Sequence, residues 1–463
     1  MNPRSLFRQD APEGVPLSSE EASAMGARIL GFASAPTVVV SIESEATGST
    51  VWSRNQVENA SDTQLTQVSA TATYGRRSAI VSTSRIDDAG LRAAVDRAEA
   101  MAQAEHLTAG EEPAPPGAPS PVNPELWHEN AQANLEPDHR IAVLREAIAA
   151  VEGAGLVGGG VVGVSARSTT VLTHAGYFEY ARTSTSSHCV SARTPDGTGS
   201  GWAGWKGEDW AKADPHAMAA TAIDLARRSR HPSAVEPGRY TVVMTPVAFG
   251  GLVAAIAGWS ALEGRAADEG RSPFSAPKGR SPIGRKVFDE RVTLSADPMD
   301  PVGGFVPFAQ AGAEIQQFRP ATWVRGGVVE NLAYRGSYAR ARHRPSLENS
   351  GALRMQGGNT SIEEMIAATD RGLYVTRFSD VSLLSFRSFL MTGVTRDGTF
   401  LIEHGKITRP VKNLRFEDSP FFMLANLEAI GPAERVWTGH PQPAVMPSAT
   451  VRDFSFTSVT DAV

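Results

Sequence analysis

Several residue types and patterns are scarce or absent in this sequence, and each absence excludes a class of protein. Cysteine occurs once among 463 residues, at Cys189, which excludes an internal disulfide framework, CxxC redox chemistry and zinc sites built from several cysteines. No apolar run approaches the roughly 20 residues that a membrane-spanning helix needs. The first residues, MNPRSLFRQDAPEGVP, contain no apolar core and no cleavage signal. We therefore expect a cytoplasmic protein without a membrane partner.

Common catalytic motifs are missing as well. The chain has neither a GxSxG nucleophile elbow nor a GxxxxGK[ST] phosphate loop. Its ten histidines are scattered, and no two stand four or five residues apart, the spacing that would aim two imidazoles of one helix at one metal. GAGLVG at 153–158 matches the GxGxxG pattern of dinucleotide-binding proteins. A helical pattern precedes it and a β-like run follows, so we interpret these glycines as a helix end and a turn.

The charge balance argues against a polyanionic partner. There are 50 acidic and 44 basic residues, which gives a formal charge of -6, and we expect no binding to nucleic acid. One basic tract, YRGSYARARHRP at 334–345, stands out. It is typical either of a clamp for a carboxylate or phosphate or of a solvated loop face. Cys189, next to His188, lies in an alternating run that predicts a strand rather than a nucleophile site.

Local patterns predict a mixed N-terminal half. Ser18 and Glu21 form a capping box that predicts the start of a helix. Alternation of apolar or small with polar residues predicts strands at 37–45 and 65–74. The segment 110–124 carries six prolines and predicts a long loop. We expect strand pairs and helices in this half.

The C-terminal half has a different pattern. Apolar residues at steps of three and four predict one helix over 247–262. Short strands and turns follow, apart from a helix that a second capping box, Ser361 with Glu364, predicts. We therefore predict an α+β fold with two domains, 1–235 and 236–463, of which the second is mainly β.

The end of the predicted helix carries the chain's most suggestive polar group. In AIAGWSALEGR the apolar stripe stops at Glu263, and Arg265 and Asp268 follow. Two carboxylates this close together can act as an acid–base pair. Solvated residues at a helix end are the alternative interpretation.

Beyond these residues, the order of six segments resembles the TldD/PmbA peptidase family. VVVSIESEATGST and the helix after SRIDDAGL are similar to the family's first domain. The C-terminal half resembles the family more specifically, in segments that are short individually but stand in the family's order. They are EPGRYTVVMTPVAFGGLV, GRSPFSAPKGRSPIGRKV, RGGVVENLAYRGSYARA, GNTSIEEMIAATDRGLYVTRF, EHGKITRPVKNLRFEDSP and PSATVRDFSFTS.

The resemblance implies a metal helix that has lost its ligands. The TldD branch carries HExxxH shortly before LEG, with two zinc-binding histidines, a glutamate base and a further cysteine ligand near the C-terminus. With 262–264 aligned to LEG, Ala255 and Ser260 stand at the two histidines and Ile256 at the glutamate. The region that corresponds to the late cysteine offers only His440. Alanine and isoleucine carry no donor, and one hydroxyl is a poor zinc ligand.

This departure resembles the PmbA (TldE) branch, whose members lack the metal motif and pair with a zinc-bearing TldD subunit. The resemblance implies that this chain has no catalytic or metal-ligating residue and no cofactor of its own. It implies zinc in a TldD-like partner subunit and a peptide, unfolded or flexible, as the substrate of the complex. The residues that we expect to line the substrate cleft are Trp259, Glu263, Arg265, Arg335 and Arg340.

Two other functions stay open at this point. The chain can form a homodimer that binds or scaffolds peptides in the same chamber without catalysis. It can also be an independent hydrolase that uses another metal, or Glu263 with Asp268. Partner identity and metal content distinguish the three.

Overall fold

The computed structural model describes residues 16–104, 116–277 and 280–460. In these residues the fold is α+β, as predicted, with an open six-stranded sheet in the N-terminal half and a closed β-barrel in the C-terminal half. The helices are α1 (Ser19–Leu30), α2 (Asp88–Gln103), α3 (Pro137–Gly153), α4 (Pro215–Arg228), α5 (Pro246–Val253), α6 (Ala255–Gly258), α7 (Gly264–Asp268), α8 (Gly336–Ala341), α9 (Ile362–Ala368) and α10 (Pro420–Ala425).

Strands make up most of the remaining regular structure. They are β1 (Thr37–Ser53), β2 (Gln56–Tyr74), β3 (Arg77–Thr83), β4 (Val157–Thr173), β5 (Phe178–Arg193), β6 (Ser200–Gly207), β7 (Gly238–Met244), β8 (Leu294–Ala296), β9 (Phe308–Ala311), β10 (Glu314–Gln317), β11 (Ala321–Arg325), β12 (Val328–Val329), β13 (Leu353–Met355), β14 (Arg371–Ser385), β15 (Leu390–Glu403), β16 (Lys406–Pro410), β17 (Leu414–Asp418), β18 (Leu427–Val436) and β19 (Ala444–Val459).

The N-terminal sheet is antiparallel, in the order β3-β2-β1-β4-β5-β6. Residues along its strands alternate between buried and half-buried, as a sheet with one covered face requires. The side chains on the covered face pack against α1, α2, α3 and α4 in two apolar clusters. The opposite face is rich in small polar residues that stay half-buried, among them Thr47, Ser49, Ser165, Thr185 and Ser187.

The first two strands are longer than predicted. β1 continues to Ser53 and β2 already begins at Gln56, joined by a two-residue turn in which Arg54 and Asn55 have φ of 47° and 62°. Positive φ at both central residues is the turn that matches the twist of a hairpin. The predicted strands 37–45 and 65–74 were too short because the outer part of the hairpin consists mostly of small and polar residues and gives no regular apolar alternation, although Trp52 is buried there.

The C-terminal half closes on itself. β19, β17, β15, β14 and β7 pair in that order, and β7 pairs again with β19, which completes a ring. The β7–β14 pair is parallel, whereas the other pairs of the ring are antiparallel. Aromatic side chains fill the core, with Phe416 5.5 Å and Phe456 5.1 Å from Phe454 between ring centroids. Closure leaves the strands of the ring without free edges.

The predicted helix 247–262 is wrong at its C-terminal end. Helical structure runs through α5 and α6 and stops at Gly258. Ser260 adopts φ of 58°, its N–H donates to Ala257 O at 3.1 Å, and the N–H of Ala261 donates to Ile256 O at 3.0 Å. This pair of bonds is a Schellman motif, which usually places glycine where serine stands here.

Other local predictions are confirmed or lie outside the described residues. Both capping boxes form, at the starts of α1 and α9. α3 ends at Gly153 and β4 begins at Val157, so GAGLVG lacks the strand–glycine–helix order of a dinucleotide site. Within the proline-rich segment, 110–115 lies outside the described residues, and 116–123 has no regular structure. None of the helices in the described residues has the length and apolarity to cross a membrane.

Candidate functional site

The positions that align with the family's metal motif lie in α6 and in the turn that follows it. Ala255 and Ile256 are fully buried, with 0% exposure, inside the apolar core of the barrel half. Ser260 is exposed, because the left-handed turn carries it away from the core. The two buried positions therefore contribute packing, and only one hydroxyl faces solvent at this site.

Trp259 forms an aromatic wall beside this turn. Its ring centroid lies 6.1 Å from that of Phe389 and 5.6 Å from the imidazole of His440. The imidazole also lies against the backbone of α6, since a Cβ added to Gly258 would stand 2.6 Å from His440 Nδ1. Burial lowers the pKa of His440. The half-buried indole thus packs between the turn and a half-buried histidine.

A charged cluster adjoins the same turn. The segment after α6 makes a parallel bridge with the segment before α8, in which Ala333 N–H donates to Leu262 O and Gly264 N–H donates to Ala333 O, both at 2.8 Å. This pairing brings Arg335 to Glu263, with 3.3 Å between Nη2 and Oε2. Backbone pairing between these two segments, which are distant in sequence, therefore positions the charged pair.

A second carboxylate shares the same arginine. Nε of Arg335 lies 3.8 Å from Oε2 of Glu348, and Gln316 Nε2 donates to the same oxygen at 3.2 Å. Burial raises the pKa of Glu348 to about 8; Arg335 opposes the shift, and the nearby carboxylates of Glu263 and Glu314 add to it. Burial also raises the pKa of Glu263, again opposed by Arg335. The guanidinium of Arg335 thus forms ion pairs with two partly buried carboxylates.

The rest of the basic tract is tied to α7. Tyr334 and Tyr338 both donate their hydroxyls to Asp268, each at 3.0 Å, and their rings stack with 6.2 Å between centroids. Gly264 is required for this packing, because a Cβ there would lie 2.6 Å from the Tyr334 ring. Arg342 lies 3.8 Å from the same carboxylate. Asp268 is therefore occupied by the tyrosines, which does not favour a role with Glu263 as an acid–base pair.

The structure thus brings together some of the predicted cleft residues and separates others. Trp259, Glu263 and Arg335 surround the end of α6. Arg265 instead pairs with Glu269 on the exposed side of α7 and stacks over Tyr338. Arg340 is exposed on α8.

Sequence reasoning missed two members of the site. Glu348 joins Arg335, and the neighbouring Asn349 donates from Nδ2 to Ala257 O at 2.9 Å, which satisfies a carbonyl at the end of α6. Both residues lie about 90 positions from the helix that they support and belong to a segment without regular structure. No local motif marks them.

Zinc does not fit the donors at this place. Ala255 and Ile256 offer no lone pair, and Glu263 is engaged by Arg335. The His440 imidazole packs against Trp259 and Gly258. Throughout 16–104, 116–277 and 280–460, no three histidine, cysteine, aspartate or glutamate side chains converge in a way that could hold a metal ion. The site offers instead an aromatic wall and a row of polar groups suited to binding.

Two sequence models of one family match the chain. The PmbA/TldA metallopeptidase domain 1 matches residues 38–102, and the PmbA/TldA metallopeptidase C-terminal domain matches residues 237–458. Together they cover more than half of the sequence. No curated protein matches the sequence with statistical significance.

Solved structures share the fold over almost the whole chain. TldE from Thermococcus kodakarensis is 15% identical with a TM-score of 0.78, over 94% of this chain and 99% of that one. A candidate modulator of a DNA gyrase from Thermotoga maritima is 14% identical with a TM-score of 0.79, over 94% and 100%. A candidate modulator of DNA gyrase from Bacteroides thetaiotaomicron is 18% identical with a TM-score of 0.75, over 96% and 100%. At these identities the likeness establishes the fold.

Proposed function

Since this chain belongs to the PmbA/TldD metallopeptidase family, we propose that it is the metal-free, TldE-like subunit of a peptidase complex whose zinc resides in a TldD-like partner. The observation that carries the proposal is that fully buried Ala255 stands at one of the family's zinc-binding histidines and fully buried Ile256 at its glutamate base, while the second histidine position is Ser260. Neither buried side chain carries a donor atom for a metal. A cytoplasmic location and a domain boundary between 235 and 236, just before β7, are parts of the same proposal.

An unpaired strand edge supports the presence of a partner chain. β3 pairs with β2 only from Val68 onward, so residues 56–67 of β2 have β1 on one side and no strand on the other among the described residues. Residues 56–65 are all exposed. Native proteins protect such edges with charged residues, especially lysine, with proline or with bulges. Residues 56–67 contain no lysine, arginine or proline, and their only such features are the acidic Glu58 and Asp62 and a register shift at Glu58.

The exposed strand is nevertheless held firmly in place. Arg140, fully buried on α3, donates to Thr50 Oγ1 at 2.9 Å and to Asp62 Oδ1 at 2.6 Å, and its Nη1 donates to two backbone carbonyls. A rigid edge loses little conformational entropy when another strand pairs with it. A partner subunit of the same fold has a matching strand to offer.

Peptide binding is the role that we propose for the cleft. Unfolded peptides present backbone donors and acceptors at regular spacing, which half-buried polar groups beside an aromatic wall can bind. Glu263, Arg335 and Trp259 supply such groups at the end of α6. In this arrangement the chain holds and orients the peptide, and the partner's zinc supplies the hydrolysis.

The test combines co-purification, metal counting and digestion. The chain is produced alone and together with a homologue that carries HExxxH and a late cysteine. We expect co-purification, zinc only in preparations that contain the partner, and casein digestion that requires both chains. Chelator-sensitive hydrolysis by the isolated chain would contradict the proposal.

The alternative is a peptide-binding or scaffolding homodimer without catalysis, which the same unpaired edge supports. Two identical β2 edges can pair around a two-fold axis. Mass measurement of the isolated chain at several concentrations, with and without the homologue, distinguishes the two. A homodimer that the homologue does not displace favours the alternative.

A further inference from the structure

We infer that the hairpin β9–β10 is a strap that couples the open sheet to the charged cluster of Glu263, Arg335 and Glu348, so that a displacement of the sheet loosens this cluster. The hairpin lies between β8 and β11 in sequence and therefore belongs to the C-terminal half. Among the described residues its two strands pair only with each other and join neither of the larger sheets. Its side chains nevertheless contact both halves of the chain.

The hairpin packs on the face of the open sheet that lies opposite the helices. Phe308 of β9 is 2% exposed. Its apolar neighbours belong to three strands of the open sheet and are Val39, Val171 and Ala181. Val39 stands between Val38 and Val40, which pack with the helices, so alternation places Val39 on the other face. Apolar burial therefore anchors the hairpin to the open sheet.

A hydrogen bond extends this contact to a fourth strand, β2. Gln310 Nε2 donates to Thr71 Oγ1 at 2.8 Å. Thr71 lies on the same strand as residues 56–67, the unpaired edge assigned above to a partner chain. A chain that pairs with this edge therefore acts on a strand that the hairpin contacts.

One face of β10 continues the contact with the N-terminal half. Ile315 packs with the apolar cluster around Phe308. Two residues further along, Gln317 Nε2 donates to the hydroxyl of Tyr177, which precedes β5, at 3.1 Å. Alternate residues of a strand point to the same side, so Ile315 and Gln317 share this face.

The other face of β10 contacts the charged cluster. Gln316 Nε2 donates at 3.2 Å to Glu348 Oε2, the oxygen that also lies near Arg335. Glu314 lies against the start of α8, since a Cβ added to Gly336 would stand 3.0 Å from Glu314 Oε1. The single strand β10 therefore contacts the open sheet with one face and the charged cluster with the other.

The two contacts of the hairpin are unequal in strength. Burial of Phe308 and Ile315 among side chains from three strands stabilises more than the single hydrogen bond from Gln316 does. When the sheet is displaced, the hairpin should therefore follow the sheet, and the hydrogen bond from Gln316 should break first. Glu348 then loses one of the groups that hold its carboxylate, and the segment that carries Arg335 and Glu348 becomes less ordered.

This inference concerns the regulation of the peptide site, and it rests on the proposed function only in calling the cluster part of a peptide site and residues 56–67 a partner interface. Its test needs neither the peptide nor the partner. The result is independent of zinc content and of casein digestion, so the two proposals fail separately.

Hydrogen exchange of the isolated full-length chain tests the coupling. The reporter is the segment 334–348, in which the N–H of Leu347 donates to Tyr334 O at 2.9 Å. Phe308→Ala removes the anchor on the sheet, and we expect amides of this segment to exchange at least about fivefold faster. Thr71→Val removes only the acceptor on β2 and should speed exchange of the same amides about twofold.

Val68→Ala is the matched control, because Val68 is a buried residue of β2 that packs with the helices on the opposite face. It should speed exchange within the open sheet and leave the segment 334–348 unchanged. An equal increase at 334–348 in Val68→Ala would show that general loosening of the sheet, and not the hairpin, is responsible, and would overturn the inference.

Gln316→Leu breaks the link at the other end of the strap. We expect faster exchange of the segment 334–348, with no further increase when Phe308→Ala is added, because both substitutions interrupt the same connection. Additive effects of the two substitutions overturn the inference, and so does an unchanged segment in Phe308→Ala and Thr71→Val. If Phe308→Ala does not fold, Thr71→Val combined with Gln316→Leu decides by the same criteria.

Discussion

The barrel and the open sheet solve the problem of strand edges in different ways. In the barrel, β7 pairs with both β14 and β19, so the ring has no free strand edge. In the N-terminal sheet, one face is covered by helices and the other stays half-buried and polar. Residues 56–67 pair with β1 on one side, and among the described residues no strand pairs with their other side.

Because of this difference, substitutions in the barrel and substitutions at the open edge should change different properties, namely stability and association. Inside the closed half, side chains such as Ile256 and Phe454 have 0% exposure, and a change there alters the free energy of unfolding. Along the open edge, side chains such as Leu65, 50% exposed, contribute little to the folded monomer. A change there should alter association with another chain.

The substitution with the largest expected effect lies in the barrel half, at Ile256, which stands where the TldD branch has its glutamate. Ile256→Glu places a carboxylate in a fully buried apolar site without a partner, and we expect the free energy of unfolding to fall by about 3 kcal/mol or more. Urea denaturation at pH 7 measures it. Ser260→Glu is the matched control, because this exposed position should change stability by less than about 0.5 kcal/mol. Similar losses for both variants would break the comparison.

The second prediction tests the open edge. Leu65→Lys adds a charge to the unpaired part of β2, and we expect the dissociation constant of the chain and its partner, or of the homodimer, to rise about tenfold or more. Sedimentation equilibrium measures association, and thermal unfolding should be unchanged. Met101→Lys, on α2 and 45% exposed, is the control. Loss of stability without loss of association would contradict the assignment of this edge as an interface.

The third prediction concerns the left-handed serine after α6. Ser260→Gly removes the steric cost of φ at 58°, and we expect a gain of about 0.5–1 kcal/mol in the free energy of unfolding. Ser260→Ala keeps a Cβ in the same conformation and should give no gain. A gain with alanine but not with glycine would mean that the serine hydroxyl, and not the backbone, sets the cost.

The smallest effect is a pH dependence at the charged cluster. The pKa of Glu348 is raised to about 8, above the roughly 4.3 of an unfolded glutamate, so its protonated form favours the folded state at low pH. This stabilisation is lost as the pH rises from about 4.3 through 8. Glu348→Gln should therefore unfold roughly 1–3 °C higher than the parent at pH 9 and at a similar temperature at pH 5.

Exposed Glu363 on α9 provides the control for this titration, since Glu363→Gln should leave the pH dependence unchanged. If the unfolding temperature of Glu348→Gln still depends on pH as that of the parent does, other groups of the cluster cause this dependence.

Local rules predicted part of the fold well. The capping boxes at Ser18 and Ser361 determine helix starts within three residues of sequence, so both were found. The end of α6 was missed because a serine, and not a glycine, occupies the left-handed position. The outer hairpin was missed because residues 56–65 of β2 are exposed and mostly polar, so that alternation carries no signal there.

The sequence singled out only those residues of the candidate site that belong to a recognisable local pattern. Trp259 and Glu263 follow from the helix pattern, and Arg335 from its basic tract, because backbone pairing brings these two segments together. Glu348 reaches the same arginine from a segment without regular structure. Such a meeting depends on tertiary packing, which no short window of sequence encodes.

The closure of the barrel also sets an order of assembly. β7 begins at Gly238, but one of its two neighbours, β19, ends at Val459, so the ring is completed only when the last strand has been synthesised. The open sheet is complete in sequence at Gly207 and can fold while the rest of the chain is still being made. Pairing between strands so far apart in sequence is intrinsically slow. During synthesis, β7 therefore lacks one of its two neighbours until β19 has been made.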